Sequence, residues 1–204
     1  MIDPGTSGAL GWLGWIGLGA SATVMGIAAV SDLRFQRIPN KLTYPAALVG
    51  VVLHCAVGIV NENETLLSGL KESLLGLALG FSVLFLGYMF GGIGGGDVKL
   101  AAALGARVGL GVTGNGLLYM GLLGGAIALS IMIWKGKLIA SLRRMGRFFL
   151  SAFVPFLEVE MPKVEDSDVF PLGVAISGGF AWAMVEVNLL DADPVIDVMF
   201  QRLF

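Results

Sequence analysis

The 204-residue chain is 56% hydrophobic and 14% charged, with a mean hydropathy of +0.84 and a formal net charge of −2. Soluble domains carry about 25% charged residues, and one soluble core of this size could not hide so much apolar surface, so an ordinary soluble domain is excluded in favour of a polytopic membrane protein. The small net charge argues against nucleic-acid binding, and the single cysteine, Cys55, excludes an internal disulfide or a multi-cysteine zinc site.

A spanning helix needs about 20 mostly apolar residues. Six segments qualify, at about 9–31, 43–60, 73–91, 98–113, 115–134 and 170–190. The expected fold is therefore all-α: a bundle of about six transmembrane helices forming one membrane domain over residues 1–204. No Lys or Arg precedes the first segment and bases follow it, the reverse of a secretory signal. It is expected to remain as a helix with its N-terminus outside. The loop after it, "SDLRFQRIPNK", holds Arg34, Arg37 and Lys41.

The second segment contains His54 beside Cys55. Adjacent residues on a helix point in different directions, so no Cys–His dyad is expected, and His54 reads as packed or hydrogen-bonded to a neighbouring helix. The acidic "NENE" stretch follows, and the third segment ends in "YMFGGIGGGDVKL". The fourth carries Lys99 and Arg107, which is compatible with a span only if its polar face turns into the bundle.

Beyond the fifth segment lies the only sizeable non-membrane stretch, about 135–169. Its bases alternate with Leu, Phe and Ile at roughly helical spacing, as in an amphipathic helix at an anionic membrane surface. Glu158, Glu160, Glu165, Asp166 and Asp168 then cluster. They read either as a solvated loop or as a patch that attracts a basic substrate segment.

Orientation follows from the bases. The first loop and the 135–169 loop have the same parity and hold most of the Lys and Arg, so both are expected on the cytoplasmic side. The opposite side receives Asp3, Glu62, Glu64 and the tail acids Asp191, Asp193 and Asp197, with Lys71 and Arg202 as exceptions.

This topology puts Asp32 and Asp97, far apart in sequence, at one membrane depth on the cytoplasmic side. Acids near lipid are costly and default to functional hypotheses. Two at one depth can share a proton, because like charges a few Å apart cannot both ionise cheaply. Such a pair can activate water while its protonated member polarises a carbonyl. Gly91, Gly92, Gly94, Gly95 and Gly96 remove side chains just ahead of Asp97 and allow backbone angles that other residues avoid. They read either as an opening for water and substrate or as an interhelical turn with close glycine packing. A phosphate-binding P-loop is excluded, since Asp and Val precede Lys99 and Leu follows it.

"SDLRFQRIPN" (31–40), "GGGDVKL" (94–100) and "FPLGVAISGG" (170–179) together resemble the type IV prepilin peptidases, membrane aspartyl proteases of the GxGD class. The resemblance implies Asp32 and Asp97 as the catalytic pair, with no metal and no cofactor. It implies Gly94 and Gly96 as the motif glycines, Lys99 beside the second acid, and Pro39, Asn40, Pro171 and Gly173 as supporting positions. The implied substrate is a prepilin or pseudopilin precursor, cleaved at the cytoplasmic face of the inner membrane to release a short basic leader.

Larger members carry a cytoplasmic insertion with paired cysteines and also N-methylate the product. Here the first loop is only about ten residues and Cys55 is alone, so peptidase activity without methyltransferase activity is expected. The short form resembles the enzymes of tight-adherence (Flp-type) pilus systems, with archaeal preflagellin peptidases as the alternative. Presenilin-like proteases pair G-x-G-D with a Y-D motif, whereas Ser31 precedes Asp32 here.

Three other readings stand beside this one: a proton- or ion-coupled transporter using both acids, a non-enzymatic assembly factor, and a metal-dependent phosphotransferase. No pair of related halves favours the first, and the last needs more clustered carboxylates. Membrane lipid is an expected partner, and homo-oligomerisation is left open.

Overall fold

The computed structural model describes residues 9–60, 65–136 and 171–189. These form five helices: α1 (Ala9–Phe35), α2 (Asn40–Val60), α3 (Leu66–Met89), α4 (Gly95–Trp134) and α5 (Leu172–Leu189). The described residues contain no strand. Helices α1 to α4 are long and apolar enough to cross a membrane, and α5 is a shorter apolar helix. This is a membrane protein of all-helical class. Described residues up to Leu123, together with those from Pro171 onward, belong to one compact unit, and Gly124–Gly136 belong to a second. The "NENE" stretch, nearly all of the 135–169 loop with its acidic patch, and the tail acids lie outside the described residues.

Several helix ends depart from the hydropathy pattern because capping, not apolarity, sets them. α3 starts at Leu66, ahead of the expected apolar stretch, because Thr65 and Ser68 form a capping box. The Thr65 hydroxyl accepts the Ser68 N–H at 3.2 Å, and the Ser68 hydroxyl accepts the Thr65 N–H at 3.0 Å. At the other end of the bundle, α1 runs on to Phe35 and stops where Gln36 takes a left-handed φ of 50°. The Gln36 N–H closes back onto the Asp32 carbonyl at 2.9 Å. The connection to α2 shrinks from about ten residues to Gln36–Pro39.

The expected fourth and fifth spans fall within α4. A straight helix of 40 residues would run about 60 Å, roughly twice the apolar thickness of a bilayer. It is interrupted at Gly109, whose φ of 80° and ψ of 178° are open in practice only to glycine. The interruption falls about five residues before the expected division. It exposes backbone groups that must be satisfied internally. Glu72 of α3 accepts the Leu110 N–H at 2.7 Å, and the buried Thr113 hydroxyl donates to the carbonyls of Gly109 and Gly105.

Small residues let α3 approach the first arm of α4. Ser73, Gly76 and Gly80 are buried along α3. The Ser73 hydroxyl donates to the Ala106 carbonyl at 2.7 Å. A Cβ at Gly76 would land on the Gly105 carbonyl, and one at Gly80 on the Ala101 carbonyl. This is the small-residue packing on which helices in lipid rely. Arg107, expected to face inward, is buried; its Nε donates to Ser21 Oγ of α1 at 3.0 Å. Leu84, Leu100, Leu104, Ile176 and Phe180 are wholly enclosed in the apolar core around these ties.

Gly76→Leu should force α3 and α4 apart and cost at least about 1–3 kcal/mol. Thermal unfolding in detergent should show a clear fall in Tm for this variant. Leu122→Ala, on a side chain 64% exposed, should leave Tm unchanged.

Candidate active site

Asp32 and Asp97 come together at one end of the bundle by two different routes. Asp32 lies in the last turns of α1 and is only 8% exposed. Its carboxylate faces the backbone N–H groups of Gly173 and Val174 in the first turn of α5. A helix N-terminus carries partial positive charge and free amides, so it is a favourable place for an acid. The fit depends on position 173 having no side chain. A Cβ there would stand 2.9 Å from both Cγ and Oδ2 of Asp32 and 3.0 Å from its Cβ. Pro171, just ahead of α5, accepts the Val174 N–H at 3.2 Å and so closes that first turn.

Asp97 is half-buried in the first turn of α4 and is supported locally. Its N–H bonds the Gly94 carbonyl at 3.1 Å, and its carboxylate turns back to the Gly94 N–H. An acid three residues into a helix reaches the capping amide in this way. A Cβ at Gly94 would stand 2.9 Å from Asp97 Oδ2. Asp32 and Asp97 are within electrostatic reach of each other.

The remaining glycines of the turn do different work. Gly91 has a φ of +75° and open space around it, so conformation alone requires glycine there. Gly96 lies against Ile38 of the α1–α2 connection, where a Cβ would meet Ile38 Cβ at 3.4 Å, close to ordinary contact.

Pro39 accepts the N–H groups of Leu42 at 2.9 Å and Thr43 at 3.4 Å, which starts α2 at Asn40. Ser31 Oγ donates to the Arg37 carbonyl at 2.8 Å and pins the same connection. Lys99 Nζ donates to Asn40 Oδ1 at 3.0 Å and sits 5.6 Å from the centre of the Tyr44 ring. Residues two apart on a helix do not share a face, so the ammonium turns toward α2 while Asp97 turns toward the glycines. All nine residues singled out in the sequence thus lie at the end of the bundle where α1 stops and α2, α4 and α5 begin.

A model of the type IV leader peptidase family matches residues 20–133. That range is more than half of the chain and contains both acids. The chain belongs to the type IV leader peptidase family. No match was found among curated proteins or among solved structures. The matched range of this leader peptidase stops short of Pro171 and Gly173, although Gly173 touches Asp32 directly.

Three residues that shape the leader peptidase escaped the sequence reading. Tyr44 follows Asn40 by one helical turn, a spacing that puts both beside Lys99. Glu72 fell one residue before the expected third span; had that span been drawn to α3's true start, it would have stood out as an acid inside an apolar helix. Ile38 carries no chemical signal at all and is identified only by its contact with Gly96.

Gly94→Ala and Gly173→Ala should each lower turnover at least about tenfold by displacing a carboxylate, since a 1 Å misplacement in an active site costs about a hundredfold. Gly96→Ala should stay within about threefold of wild type, because the space at Ile38 accepts a methyl group. Turnover of a pilin-like precursor by the three purified variants checks this ranking.

Proposed function

We propose that this membrane protein is an aspartic endopeptidase of the GxGD type that removes the short basic leader from type IV pilin-like precursors. The observation that carries the reading is the meeting of Asp32 and Asp97 at one end of the bundle, each with its carboxylate turned to backbone amides. In the proposed mechanism one carboxylate is ionised and the other protonated, as expected of like charges at close range. The ionised member takes a proton from water as the water oxygen attacks the scissile carbonyl carbon. The protonated member hydrogen-bonds the carbonyl oxygen and gives up its proton as charge develops there. Collapse of the tetrahedral intermediate breaks the C–N bond, and the nitrogen leaves with a proton returned by the acid pair.

Arg34, Arg37 and Lys41 lie at the end of the bundle that carries the acids. Bases collect on cytoplasmic loops, which supports cleavage at the cytoplasmic face of the inner membrane and an N-terminus outside. Treating the two arms of α4 as separate crossings gives six spans in all. The four-residue connection from Gln36 to Pro39 has no room for a cysteine-bearing insertion, in keeping with the short, tight-adherence form and with peptidase activity alone. The broken α4 and the buried Arg107 are the features that favour the competing transporter reading.

Asp32→Asn and Asp97→Asn should each reduce cleavage of a co-expressed pilin precursor by at least about a hundredfold while inserting at wild-type levels. Cleavage near the wild-type rate by either variant would overturn the catalytic pair and bring the transporter reading forward.

A further inference from the structure

Two buried side-chain oxygens, Asp32 Oδ2 and Ser177 Oγ, have no hydrogen-bond partner among the described residues. Buried polar atoms are nearly always satisfied, and where protein groups do not suffice an internal water commonly serves. The positions of these two make them a pair. Ser177 is four residues beyond Gly173 on α5, and so lies on the same face one turn deeper into the bundle. Asp32 Oδ2 lies 2.9 Å from the point where a Gly173 Cβ would stand. Cβ positions four apart on a helix are about 5–6 Å apart, so Ser177 stands one turn from the position that Asp32 Oδ2 touches. A helical spacing of that order is one that a single water can span with two hydrogen bonds of about 2.8 Å.

The Ser177 hydroxyl is also uncommitted in a way that other helical hydroxyls here are not. Ser21, Thr23 and Ser130 each donate to the carbonyl four residues back, all at 2.8 Å. Ser177 could donate to the Gly173 carbonyl in the same way and does not, although it is 5% exposed and has no solvent to turn to. Ala28, one turn before Asp32 on α1, is wholly buried and brings only a methyl group to that level.

We propose that Ser177 and Asp32 together bind one water molecule on the inner side of the acid pair, and that Ser177 thereby acts as a positioning residue for the Asp32 carboxyl. With one oxygen held from within by this water, the carboxyl plane is fixed relative to Asp97. The proposal rests on the aspartic endopeptidase reading.

The test compares wild type, Ser177→Ala, Ser177→Cys and Asp32→Asn as full-length proteins reconstituted with a synthetic precursor that carries a basic leader ahead of an apolar helix. Ser177→Ala should lower kcat at least about tenfold, as expected for loss of a hydrogen bond to a charged group. KM should stay within about twofold and Tm should fall little, because alanine keeps the apolar packing of position 177 and the change is confined to one hydrogen bond at the water. Ser177→Cys, with similar volume and a weaker donor, should fall between Ala and wild type. A kcat within about twofold of wild type for Ser177→Ala would overturn the proposal, and so would a loss of kcat that tracks a loss of Tm. Asp32→Asn separates the two levels. If it is inactive while Ser177→Ala is unaffected, only the water site fails; if it remains active, the peptidase reading itself fails.

Discussion

A backbone N–H or C=O at the depth of lipid hydrocarbon has no water to bond, so each one must find a partner in the protein. Most of this architecture follows from that constraint. It makes every described element a helix and brings helices together through small residues, because lipid supplies no hydrophobic drive for them to associate. It also explains why the break at Gly109 is so well furnished. The freed Leu110 amide goes to Glu72, and the Gly109 and Gly105 carbonyls go to Thr113. Arg107 obeys the same rule from the side-chain direction: its guanidinium reaches Ser21 and the Gly17 carbonyl, and so ties α1 to α4. Those two helices carry the two acids.

At the acid-bearing end the constraint relaxes. Phe90–Gly94 leave helical geometry, and Gly91, Gly92, Gly94 and Gly95 are exposed. The chain can use backbone amides there as partners for side chains rather than for one another. Asp32 meets the opening amides of α5, and Asp97 meets the capping amide of its own helix. In both cases a glycine clears the approach, Gly173 for one and Gly94 for the other. The two acids therefore use the same device on different elements, which draws two carboxylates together despite their mutual repulsion.

How much of this can be read from the sequence depends on whether the signal is composition or contact. Apolar runs locate the helices because a membrane demands about 20 such residues in a row. The motif residues assemble at one end because the helices that bear them alternate in direction. Helix ends are less legible, since Thr65 with Ser68 and the left-handed Gln36 act through local hydrogen bonds that hydropathy does not register. The division within α4 is legible only approximately: an apolar run continues through Gly109, and nothing in the composition distinguishes that glycine from Gly105 or Gly116. The glycines before Asp97 look equivalent in sequence, yet one is needed for its φ, one for the carboxylate beside it, and one only lies against Ile38. Such distinctions arise from distances between segments remote in the chain.

The two acids differ in how they are restrained, and the difference bears on how a substrate could be admitted. Asp97 depends on its own first turn: Gly94 and Asp97 are three residues apart and move together if the glycine turn shifts. Asp32 depends on α5, which enters the sequence far downstream, so its position is fixed only when α1 and α5 are docked. The exposed glycines therefore adjoin the acid whose supports travel with the turn. The other acid stays anchored between α1 and α5, where a side chain as small as a methyl group at position 173 would already collide with it. On the proposed reading, one carboxylate is fixed by the docking of two helices and the other is carried by a local turn, so a displacement of that turn changes the spacing of the pair from one side only.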